Sequence, residues 1–167
     1  MEADAIIEWI PRLRRYARAL TGDASAADDL VQDTLARAIE KFSLWRPGTN
    51  LRAWLFSIMH NVFVNQVRAR KLDIDAGFDD EALSRVAGRA THEGEMIDLV
   101  RCLKRLPHDQ KEVLLLVGLE EMSYQEAADS LGIPVGTVMS RLSRGRQKMH
   151  ELLAGAPDVA TPLRVVK

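Results

Sequence analysis

The most legible chemistry in the chain lies between Pro134 and His150. At about 100° per residue, Gly136, Thr137, Ser140, Ser143, Arg144 and Gln147 fall on one side of a helix, with Arg141 and Lys148 on one flank and Arg146 on the other. Val138, Leu142, Gly145 and Met149 fall within about 60° of one another on the opposite side and form a buried seam. No acidic residue lies between Pro134 and His150. Short polar side chains let a helix approach the floor of a major groove, and an arginine there can donate two hydrogen bonds to guanine. Flanking cations hold phosphates and set register without reading sequence. The pattern predicts contact with duplex DNA through Thr137, Met139, Ser140, Arg141, Ser143, Arg144, Gln147 and Lys148. An ordinary amphipathic helix with a wet basic face has the same outline, so the elements that position it decide.

Those elements favour DNA. Ser123 followed three residues later by Glu126 is a capping box that starts a helix. Gly132 suits the left-handed backbone that stops it, and Pro134 can stand near the start of the next. Ala127 and Ala128 permit a close crossing, while Leu131, Ile133 and Val138 fill the angle. Two helices joined by a tight turn, the second one cationic, make a helix-turn-helix.

Upstream, a second group of residues has binding chemistry. A helix from about Leu51 to Lys71 carries apolar Leu51, Trp54, Leu55, Ile58 and Val62, and Asn61, Asn65 and Arg68 recur at spacings of four and three as one polar strip. Such asparagines can satisfy backbone groups at a helix crossing. Equally, amides that read base edges, with Arg52, Arg68 and Arg70 and a turn-forming loop bearing Trp45, suit single-stranded DNA. Before that loop, a helix capped by Asp23 or Ser25 runs to about Phe42 on a seam of Val31, Leu35, Ala38 and Phe42. Its exposed face begins with Asp28, Asp29, Gln32 and Asp33; acids there complement the helix dipole or face a partner. The first helix is predicted from Ala5 to Leu20 on Ile6, Ile10, Leu13, Ala17 and Leu20.

The chain of 167 residues, 47% of them hydrophobic, is long enough for packed cores. Its net charge of −1 conceals a division: +3 over residues 1–72, −6 over 73–98 and +2 thereafter. The acidic stretch, with no sustained period up to about His92, reads as a linker. The organisation is thus all-α: two small helical domains over 1–72 and 93–154, an acidic linker over 73–92 and a loose tail over 155–167. The second domain adds a helix from about Glu93 to before Pro107 and another from His108 to Leu119.

Catalysis finds no home in the sequence. His60, His92, His108 and His150 lack metal-pair spacing, and no phosphate-cradling glycine loop is present. Cys102 and His108 lack an orienting third group. No catalytic residue, metal or cofactor is expected. The single cysteine fits a reducing cytosol, and the longest apolar run, Val113 to Leu119, is far too short to cross a bilayer. A cytoplasmic, unexported protein is expected.

Three stretches, DDLVQDTLARAIEKF, RPGTNLRAWLFSIMHNVFVNQVR and LPHDQKEVLLLVGLEEMSYQEAADSLGIPVGTVMSRLSRGR, resemble in order the extracytoplasmic-function (ECF) sigma factors of bacterial RNA polymerase. The resemblance covers roughly Leu13 to Leu153 and implies a sigma-two-like domain of three to four helices and a sigma-four-like domain of four. It implies partners: core RNA polymerase through its β′ clamp helices and β flap, promoter DNA, and an anti-sigma factor. By position, Asp28, Asp29, Gln32, Asp33 and Arg37 would grip the clamp helices. Trp45, Arg52, Asn61, Asn65 and Arg68 would take the melted minus-ten strand, and the helix-turn-helix would read the minus-thirty-five duplex. The linker would run near the polymerase cleft, where its charge could mimic nucleic acid. Met139 and Ser143 depart from the basic and aromatic residues of many relatives, so preferred sequence does not transfer. The RPGTNLRAWLF and PVGTVMSRLSRGR segments look nearest the general-stress EcfG type. On residues alone, a dimeric helix-turn-helix regulator and a protein-interaction module remain open.

Overall fold

The computed structural model describes residues 2–75 and 94–155, and all its regular elements are helical. In chain order they are α1 (Glu2–Ile7), α2 (Ile10–Thr21), α3 (Ala24–Glu40), a 3-10 turn (Phe42–Leu44), α4 (Leu51–Asp75), α5 (Gly94–Lys104), α6 (His108–Gly118), α7 (Tyr124–Leu131) and α8 (Val135–Leu153). Most of the linker over 73–92, including Asp79, Asp80 and Glu81, and the tail beyond Gly155 lie outside the described residues.

The first helix differs from expectation. The predicted Ala5 to Leu20 helix is two, because Pro11 has no N–H and its ring would meet the carbonyl one turn earlier. The chain therefore turns at Glu8 and Trp9, and Pro11 falls in the first turn of α2. Gly22, at φ 71°, closes α2 by donating its N–H to the Arg18 carbonyl at 2.9 Å. Asp23 then caps α3, accepting from the Ser25 amide at 3.1 Å. α4 runs to Asp75, past the expected end at Lys71.

α2, α3 and α4 pack on one another, as do α6, α7 and α8, and the two groups share one core. α4 packs against both α3 and α7, and α2 against both α5 and α6. This explains the burial of Leu55, Phe56, Ile58, Met59, Val62 and Phe63, an arc of roughly 160° on α4 at about 100° per residue. A helix covered on one side buries a narrower stripe. The sequence seam had only the α3 side; Phe56, Met59 and Phe63 extend it toward the second group. Phe56 meets Tyr16 of α2 edge-on at 5.0 Å, and Phe63 meets His108 of α6 at 5.2 Å.

Candidate nucleic-acid interface

α7 and α8 take the predicted geometry. Ser123 Oγ accepts from the Glu126 amide at 3.0 Å and Glu126 Oε1 accepts from the Ser123 amide at 3.1 Å, so both halves of the capping box are made. Gly132, at φ 67°, ends α7, and Pro134 precedes the first turn of α8. The buried residues of α8 are Val138, Leu142, Gly145 and Met149. Met139, Ser140, Ser143, Arg144, Gln147 and Lys148 are exposed, while Thr137 and Arg141 are half-buried. Arg141 leans toward Asp109, Nε to Oδ2 at 3.8 Å, and Ser140 Oγ donates to the Thr137 carbonyl at 3.2 Å. A long, weak tie on Arg141 leaves it movable. The cationic face is therefore open to a groove-sized ligand, and Met139 is a large apolar group within it, 51% exposed.

On α4, Asn61, Asn65 and Arg68 are exposed together. They are not the buried amides of a helix crossing. Trp45 differs from the expectation of an open platform. It is half-buried, packed on Phe42 at 5.4 Å and Trp54 at 6.5 Å, and its buried indole Nε1 has no hydrogen-bond partner among the described residues. Trp54, assigned to the apolar seam by spacing, is half-buried and lies at a helical angle close to that of Asn61 and Asn65. Phe42, Trp45 and Trp54 thus form an aromatic cluster on the side of the polar strip. Base stacking needs such faces; Trp54 was missed because its spacing also satisfies a core.

Arg52 is the larger departure. It sits about half a turn around α4 from Asn61 and faces the second group of helices. Arg52 Nη2 binds Glu126 Oε2 at 2.8 Å and Nη1 donates to the Glu120 carbonyl at 3.0 Å. Asn50 caps α4, its Oδ1 accepting from the Ala53 amide at 3.1 Å, and its Nδ2 donates to the same Glu126 Oε2 at 2.5 Å. The carboxylate lies between two helix N-termini and a guanidinium. Those hydrogen bonds, Arg52 first and the Ser123 amide next, bring the Glu126 carboxyl down to about 2.

Other charged groups join the two halves, and spacing alone gave no sign of them. Glu120 is fully buried; its Oε1 meets Arg15 Nη2 at 3.2 Å and its Oε2 is 3.9 Å from Arg12 Nε. His60 Nδ1 lies 2.8 Å from Glu112 Oε2. Lys111 Nζ donates to the Leu20 carbonyl at 3.1 Å, and burial lowers the pKa of this lysine, helped by Lys104. Burial pushes the Tyr16 phenol up, and Glu112 and Glu120 add to it. Charged residues beside an apolar run were the only available sequence signal.

On α3, Asp28, Asp29, Gln32, Asp33 and Arg37 are all exposed, and Asp33 accepts from Gln66 Nε2 at 3.0 Å. They form one polar face opposite buried Ala27, Leu30, Val31 and Ala38.

Fold and surfaces define a helical, helix-turn-helix DNA-binding protein with a second helical unit. A family model described as "Sigma2 domain of PhyR" matches residues 6–60, and one described as "Sigma-70, region 4" matches residues 96–149. The ECF RNA polymerase sigma factor EcfG of Rhodopseudomonas palustris is 41% identical over 159 residues, covering 93% of this chain and 87% of that protein. The solved structure of the sigma factor RpoE in complex with the anti-sigma factor NepR from Bartonella quintana shares 34% identity at a TM-score of 0.77, covering 92% and 97% of the two chains. CnrH, solved in complex with the cytosolic domain of CnrY, shares 28% identity at a TM-score of 0.67, covering 93% and 89%. The chain belongs to the ECF sigma factors of bacterial RNA polymerase. No helix among the described residues is long and apolar enough to cross a membrane.

Proposed function

We propose that this sigma factor binds core RNA polymerase through the polar face of α3, melts and holds the minus-ten element on α4, and reads minus-thirty-five duplex with α8. The observation that carries the reading is the open, acid-free face of α8 on a chain that also exposes Asn61, Asn65 and Arg68 on α4. A duplex regulator needs only the first surface. Asp28, Asp29, Gln32, Asp33 and Arg37 would meet the β′ clamp helices, and the second domain would meet the β flap. Melting would draw on stacking at the Phe42, Trp45 and Trp54 cluster and on pairing at Asn61 and Asn65, offsetting a few kcal/mol per unstacked step. Residues 73–92 would link the two readers, with the readers divided as 1–72 and 93–154.

An anti-sigma factor would control it. Support comes from a groove of about 560 Å³ between α2, α5 and α6, floored by Leu99, Leu103, Leu114 and Leu119 and rimmed by Arg15, Arg18 and Lys104. An amphipathic helix with an acidic flank fits those walls. Because the groove spans both halves, such a helix would hold them together. The test of core binding is co-elution with purified core polymerase. Wild type should co-elute, and Asp28→Lys with Asp29→Lys should weaken the complex at least about tenfold by reversing two contact charges. Co-elution that is absent, or indifferent to the reversal, would reject the α3 assignment.

A further inference from the structure

In the closed molecule Arg52 is half-buried and turned to the second group of helices. The carboxylate of Glu126 holds it together with Asn50, and the Glu120 carbonyl takes its other nitrogen. An anionic oxygen, Glu126 Oε2, on a guanidinium and an amide at a helix N-terminus stands where a DNA phosphate oxygen could be held. The remaining nominated strand contacts of α4, Asn61, Asn65 and Arg68, are exposed. Of these nominated contacts on α4, Arg52 is the one taken, and by an acid from the other half of the chain.

The dimensions point the same way. Two promoter elements about 25 base pairs apart are separated by roughly 85 Å of B-form duplex. A compact body of 167 residues has a radius of gyration of about 15 Å and a diameter of roughly 40 Å. With α4 docked on α7, the two readers cannot reach both elements. The 18 residues between Asp75 and Gly94 can extend to at most about 60 Å, enough to allow the separation once the halves part. Parting breaks the Glu126 contacts.

We propose that Glu126 is a built-in phosphate mimic, which occupies Arg52 and Asn50 in the closed molecule and must be displaced before α4 takes a promoter strand. The proposal rests on the reading of α4 as the strand-binding helix. Its economy lies in the division of the carboxylate. Oε1 closes the capping box of α7 while Oε2 faces α4, so a helix cap also serves as a latch between the halves. The depressed carboxyl of Glu126 agrees with this, since a group ionised down to about pH 2 keeps its charge throughout the working range.

Glu126→Gln separates the two duties, because a capping box accepts Gln as well as Glu while the anion is lost. The assay is fluorescence anisotropy of a labelled, mixed-sequence single-stranded 12-mer with the full chain, beside small-angle scattering of the wild type at low salt. Circular dichroism checks that each variant is folded. Wild type should scatter as a compact particle near 15 Å. Glu126→Gln should bind the 12-mer about five- to tenfold more tightly, since apparent affinity rises with the fraction of competent molecules. Asp129→Asn, which removes an equal charge from the outer face of α7, should change it less than twofold. In an Arg52→Ala background, Glu126→Gln should have no further effect. An extended wild type, a response to Glu126→Gln no larger than to Asp129→Asn, or a gain that persists without Arg52 would each overturn the proposal. Absence of 12-mer binding by every form would refute the strand-binding role of α4, and the mimic with it.

Discussion

Replacing Arg144 with alanine should remove sequence reading while leaving the protein intact. Arg144 is exposed and makes no hydrogen bond or ion pair with the described residues, and both residues are strong helix formers. Stability should therefore move by no more than about 0.5 kcal/mol. Against DNA, the loss of a bidentate arginine–guanine pair is worth about 1 to 3 kcal/mol of discrimination, or roughly 5- to 150-fold in the ratio of specific to scrambled binding. The assay is competition anisotropy with a minus-thirty-five duplex selected on the wild-type protein and its scrambled counterpart, repeated across salt concentrations. The variant should bind scrambled duplex nearly as wild type does, with the salt slope changed by about one at most. Equal loss on both duplexes would make Arg144 a phosphate contact and would refute the placement of the reading face on that side of α8.

Three further outcomes follow from the packing. Leu142, 2% exposed in the α8 seam, should cost about 2 to 5 kcal/mol when cut to alanine, measured by urea denaturation; Met139→Ala on the exposed face should cost under about 0.5 kcal/mol. A Cβ at Gly145 would lie 3.4 Å from the Gln110 carbonyl oxygen and 3.5 Å from its Cβ, ordinary contact. Gly145→Ala should then stabilise by up to about 1 kcal/mol through helix propensity, and Gly145→Leu should force α6 and α8 apart, both read from thermal melts. For Glu126, the folded carboxyl lies below its ordinary value of 4.5, at about 2. The stability it contributes is present above pH 4.5 and lost as pH falls through about 2. The stability difference between wild type and Glu126→Gln should stay level from pH 7 to 5 and fade between about 4.5 and 2.

The helix-turn-helix was legible because local rules determine it. Capping by Ser123 and Glu126, the stop at Gly132 and the seam of Val138, Leu142, Gly145 and Met149 depend on residues within a few turns of one another. The exposed faces of α3 and α4 followed from periodicity for the same reason. What periodicity could not supply was contact between distant parts of the chain. Arg52 shares a helix with Asn61, yet it faces Glu126, 74 residues away. Phe56, Met59 and Phe63 lie outside the seam that spacing gives α4, and are buried because α4 is covered on two sides. The divided first helix was within reach of the sequence, since Pro11 stood in the middle of it. Trp45 and Trp54 were ambiguous for a physical reason: an aromatic side chain serves a core and a stacking surface by the same means.

The central claim, that this chain directs polymerase to promoters, is tested most directly by mapping initiation. Purified core polymerase is mixed with the protein and a promoter library, and transcript 5′ ends are sequenced with and without it. New start sites should require both protein and core, share two sequence elements upstream, and fade for both Arg144→Ala and Asn61→Ala. Duplex binding by the protein without any core-dependent start site would contradict the claim and make the chain a regulator that binds DNA on its own.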